Sequence, residues 1–164
     1  MKKAAVVAFA FGTPDTILSN LRIARIALQK ARKFSIPIYT QLDIRIKEPG
    51  IKVKYTDEEP GNPPPTLRIA RGAAKWAKEQ DLRELWIVAA KPHLKRCLRN
   101  LKYACREAGI SPKVGICGRI DEYSEDEWYC PDSTQARVRS KKDWCLREWI
   151  LNHMPMFIYK RVAS

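Results

Sequence analysis

Hydrophobic and polar positions along the chain fall into segments with different periods, and those periods predict its elements. Residues 4–11 are continuously apolar, as a strand buried on both faces of a parallel sheet must be. After a loop over 12–19, the residues Ile17, Leu21, Ala24, Leu28 and Ala31 recur every three or four positions. This predicts an amphipathic helix over 21–33 capped by Asn20, or one that begins earlier at Asp15 or Thr16. A second strand is expected over 37–42. Residues 43–55 then alternate apolar and charged side chains around Glu48, Pro49 and Gly50, the pattern of an exposed ribbon or an irregular edge. Four prolines within 59–65 exclude both helix and central strand.

Thr66 is the expected cap of a helix over 67–80, whose Leu67, Ala70, Ala74 and Ala77 form a narrow small-residue face. A third strand is expected over 85–90. It hands over to a helix running from Pro92 to about Ala108, with Leu94, Cys97, Leu98, Leu101, Ala104 and Cys105 on its buried stripe and Gly109 ending it. A short strand over 113–117 and an acidic loop over 118–131 follow. Ser133 or Thr134 is then expected to open a final helix reaching about Leu151. This order predicts an α/β fold, a Rossmann-like three-layer sandwich with a mainly parallel sheet, forming one domain over residues 1–164.

Composition narrows the partners. Lys plus Arg number 31 against 18 Asp plus Glu, a net charge of +13, which attracts phosphate-bearing and carboxylate-bearing molecules. Five of those acids lie within 121–127, so the positive field should be strongest away from that loop. The five cysteines are odd in number and form no C-x-x-C pair, which argues against a disulfide framework. Two lysines before a short apolar run imitate a signal peptide, but a first strand is the better reading of the opening residues. No apolar stretch approaches the ~20 residues that cross a bilayer, so a cytoplasmic protein without a transmembrane segment is expected.

The strongest candidate for chemistry is the handover after the third strand, because strand ends and helix amino termini converge on ligands there. It carries Lys91, His93 and Arg96. The first turn of a helix and two cations disfavour protonation of His93, leaving a neutral imidazole able to act as an acid/base group or merely to complete the helix start. His93 and Cys97 are spaced like a metal pair, but no second pair exists and no metal is expected. Cys117, at a strand end, is the one thiol worth testing. The loop holding Gly12, Thr13 and Asp15 leaves the first strand as phosphate loops do, yet it lacks both G-x-G-x-x-G and a G-K-[ST] ending, and no motif names a cofactor. Backbone N–H groups and the Thr13 hydroxyl could still hold an anion, and Asp15 could instead orient His93. The basic residues are spread over three helices, so nucleic-acid binding is possible without a motif.

Residues 64–98, with Thr66, Ala70, His93 and Arg96, resemble the central signature of the YdcF/SanA/ElyC-like domain family: a Thr-led helix, then a strand leading to His-x-x-Arg. Residues 9–15 are similar to that family's first strand and glycine loop, and 137–159 to its closing helix and tail. The family usually carries Glu and Asn two and three residues after the threonine, where this chain has Arg68 and Ile69, and its second strand leads to Gly-Gly, where this chain has Gln41. The resemblance implies a Rossmann-like sheet with a polar pocket at the strand carboxyl ends. The expected function is binding of a small anionic ligand, nucleotide-like or phosphorylated, by a possible hydrolase or transferase. His93 would be its catalytic group, and Gly12, Thr13, Asp15, Gln41, Thr66, Arg68, Lys91 and Arg96 its ligand contacts. The alternative is a non-catalytic basic module for nucleic acid or protein, reading its partner through Arg22, Arg25, Lys95 and Arg99.

Overall fold

A computed structural model describes residues 3–58 and 64–162. Five strands form one parallel sheet: β1 (Ala4–Ala8), β2 (Ile38–Thr40), β3 (Val53–Tyr55), β4 (Glu84–Val88) and β5 (Lys113–Ile116), in the order β3-β2-β1-β4-β5. The central β1 is apolar throughout because both of its faces are covered. Ala4, Val6 and Ala8 face α1 (Leu18–Phe34), through Ile23, Ile26, Ala27 and Ala31. Ala5 and Val7 face α2 (Thr66–Glu79) and α3 (Lys91–Glu107), whose small residues let the helices approach closely. The result is the three-layer α/β sandwich expected. Each fully buried Val or Ile side chain, such as Val6 or Ile87, contributes roughly 1.5–3 kcal/mol.

Several local expectations give way to tertiary packing. Asn20 caps nothing: α1 starts two residues earlier, and the Asn20 amide is buried. It accepts from the Phe11 N–H at 2.9 Å and donates to the Gly12 and Pro14 carbonyls, each at 3.0 Å. Of the two readings of residues 43–55, the irregular edge holds and the exposed ribbon does not: Ile44 and Ile46 are buried, and β3 is a parallel edge strand on β2. Nor do Ser133 and Thr134 open the last long helix. That helix, α4 (Lys141–His153), is capped by Ser140, whose hydroxyl accepts from the Asp143 N–H, and a short α5 (Met156–Val162) follows. The acidic loop contains two 3-10 turns that bury Trp128 completely. Most of the proline-rich stretch, residues 59–63, lies outside the described residues. No helix among the described residues is long and apolar enough to cross a membrane.

Candidate anion site at the sheet switch point

From β1 the chain builds one half of the sheet outward through β2 and β3, then returns to build the other half from β4. The loops after β1 and β4 therefore diverge and leave a crevice at the strand carboxyl ends. A cavity of about 250 Å³ occupies it. Its walls come from residues 10–12 after β1, Gln41 after β2, Thr66 and Ile69 on α2, His93 and Arg96 on α3, residues 135–138, and Trp144, Arg147 and Leu151 on α4.

His93 and Arg96 sit one turn apart on α3 and are both buried. Arg96 donates from Nε to Glu148 Oε1 at 3.1 Å and from Nη2 to His93 Nδ1 at 3.2 Å. A guanidinium can only donate, so Nδ1 is the accepting nitrogen and Nε2 carries the hydrogen. Glu148 lies 3.9 Å from Nδ1, beyond hydrogen-bond reach. Nε2 faces the Thr66 hydroxyl at 3.3 Å. Burial and the Arg96 charge pull the His93 imidazole down to about 4, against the opposing influence of Glu148. Burial would raise the Glu148 carboxyl, but the Arg96 guanidinium beside it outweighs this and holds that group below the ordinary carboxylate range. Trp144 walls the cluster, its ring edge-on to His93 at 5.4 Å and its Nε1 donating to the Pro92 carbonyl at 3.2 Å. The product is a neutral imidazole whose N–H faces the Thr66 hydroxyl on the cavity wall, an arrangement suited to donating a hydrogen bond at neutral pH.

Of the nine residues expected at the site, Gly12, Gln41, Thr66, His93 and Arg96 line the cavity. Gln41 is fixed there by accepting from the Ala10 N–H and donating to Asp43. Burial raises the Asp43 carboxyl above its ordinary value, although the Gln41 hydrogen bond opposes it. The other four are drawn elsewhere. Thr13 is buried against the 131–138 segment, its carbonyl accepting from Ser133 Oγ at 3.0 Å and the Thr134 N–H at 2.9 Å. Asp15 pairs with Arg45 at 2.7 Å and not with His93. Lys91 reaches the Tyr123 carbonyl at 3.0 Å and Asp121 at 3.4 Å, and Arg68 is exposed outside the lining. Cys97 is core, and burial pushes the Cys117 thiol up to about 11, which disarms it as a nucleophile. Among the described residues no group of three or more His, Cys, Asp or Glu could hold a metal ion.

Sequence reasoning missed the wall opposite α3: Gln135, Arg137, Trp144 and Arg147, with Glu148 behind them. One signal was available. Trp144, Glu148 and Leu151 recur at spacings of four and three, which puts a carboxylate on the buried stripe of α4 and demands a buried cation as partner. The surface assigned to the nucleic-acid alternative is partly structural: Arg22 bonds to Glu127 and lies over the Tyr123 ring, and Arg99 donates to the Leu151 and Asn152 carbonyls at the end of α4. Compared with family models, curated proteins and solved structures, the chain finds no match.

Proposed function

We propose that this domain binds a small phosphorylated ligand in the switch-point cavity, with the His93 Nε2–H donated to it. The observation that supports this reading is the composition of the wall: Arg96, Arg137 and Arg147 line it, and among the described residues no carboxylate does. Glu148 neutralises Arg96 from behind, which leaves the cavity with an excess of positive charge that an anion relieves. A volume of about 250 Å³ suits a small molecule or one end of a nucleotide. A hydrolase or transferase on this scaffold would use His93 as a neutral donor to charge developing on a ligand oxygen, because its basic nitrogen is already covered by Arg96.

The test is a thermal-shift screen of inorganic phosphate, pyrophosphate, nucleotides and sugar phosphates on wild type and His93→Ala. A ligand at about one hundred times its Kd adds roughly 2.7 kcal/mol, a rise of about 5–10 °C for a chain of this size. A rise in wild type that shrinks in His93→Ala supports the reading. No rise with any compound, or equal rises in both proteins, overturns it.

A further inference from the structure

This inference rests on the anionic-ligand reading and names the class of anion. Arg137 projects from the 3-10 turn Ala136–Val138, and Arg147 from α4 three residues after Trp144. Both line the same cavity. The turn is held by Val138, which is buried, and by Arg139 donating to the Ser133 carbonyl at 2.7 Å, while Ser133 is itself bonded to Thr13. Arg147 is flanked on its helix by the buried Trp144 and Glu148. Two guanidiniums are thus presented toward one cavity from two elements that pack against each other.

Neither has an ion-pair partner among the described residues; Glu148, the carboxylate beside Arg147, holds Arg96 at 3.0 Å. Partial desolvation at the cavity wall, followed by the charges of Arg147 and Arg96, pulls Arg137 below its ordinary range, and partial desolvation followed by the charge of Arg96 does the same to Arg147, although both residues keep contact with solvent. Three like charges lie close enough to oppose one another, a cost that a bound anion removes. A carboxylate or a phosphodiester brings one negative charge. A terminal phosphate brings about −1.5 to −2 at neutral pH and three acceptor oxygens, enough for two guanidinium forks at once.

We propose that Arg137 and Arg147 form a subsite for the terminal phosphate of a small phosphomonoester, selecting it over carboxylates and phosphodiesters. Glycerol phosphate, glycerate and dimethyl phosphate are titrated calorimetrically into wild type, Arg137→Gln, Arg147→Gln and the double variant. Both arginines reach solvent, and unliganded melting temperatures within a degree or so of wild type check that the variants fold. Glycerol phosphate is expected to bind wild type at least tenfold more tightly than either monoanion. Each single variant is expected to lose about tenfold for glycerol phosphate, with the monoanions nearly unaffected. Equal affinities for the three probes, or glycerol phosphate binding that survives in the double variant but is lost in His93→Ala, overturns the subsite while keeping the anion-binding cavity. Absence of binding by all three probes to wild type overturns the subsite and the reading beneath it together.

Discussion

Replacing His93 by Gln removes the imidazole but keeps an N–H able to face Thr66, so it isolates what titration of His93 does to stability. The unfolded chain takes up a proton on this residue near 6.5, and the folded chain near 4. Between those values the unfolded state binds more protons, so stability falls as pH drops through the window and is fully present above it. A depression from 6.5 to about 4, at 1.36 kcal/mol per tenfold change in proton affinity, amounts to about 3 kcal/mol, of which about 2.5 kcal/mol is lost by pH 4.5. The side chain is 6 % exposed, so little screening by solvent reduces this. Urea unfolding of wild type and His93→Gln at pH 7.0, 5.5 and 4.5 is the assay. Wild type should lose about 2.5 kcal/mol more than the variant, a relative midpoint shift of about 1 M for a slope near 2 kcal/mol/M. Carboxylates common to both proteins largely cancel in the difference. Parallel curves, or an imidazole found by NMR to titrate near 6.5, would refute the buried neutral histidine.

Two further substitutions probe the framework of the site. Glu148→Ala leaves Arg96 buried and unpaired and should cost about 3–5 kcal/mol in urea unfolding, most of it recovered when Arg96→Met is combined with Glu148→Leu. Gly12→Ala places a Cβ at 2.6 Å from Val138 Cγ2 and 2.7 Å from Ser133 Oγ, at a φ of +95°, and should cost at least about 2 kcal/mol in thermal unfolding while weakening anion binding through displacement of the Arg137 turn. A smaller cost would show that this turn yields freely.

Four of the five sheet strands, all but β3, and the first three long helices were legible because their periods are local. Ala4–Ala8 is apolar at every position, and α3 repeats its stripe over four turns. The handover at His93 was legible for the same reason. Asn20 and Thr13 were misread because each has a polar side chain suited to a local task, while folding assigned them distant ones: Asn20 ties the β1 loop to α1, and Thr13 secures the 131–138 segment. Ser133 and Ser140 are equally good caps in isolation. Only the engagement of Ser133 with Thr13, about 120 residues away, leaves the cap to Ser140.

The order of apolar and polar residues determined that this chain forms alternating strands and helices, because burial of a stripe or an alternating face depends on neighbours within a few positions. It also determined that a histidine and an arginine share one turn at a strand end. The tertiary structure alone decided that β1 lies between β2 and β4, which opens the crevice, and that α4 folds back to bring Arg147 and Glu148 beside His93. Contacts between residues some fifty positions apart leave no period in the chain. Charge and burial select them only once the sheet has placed the elements that carry them.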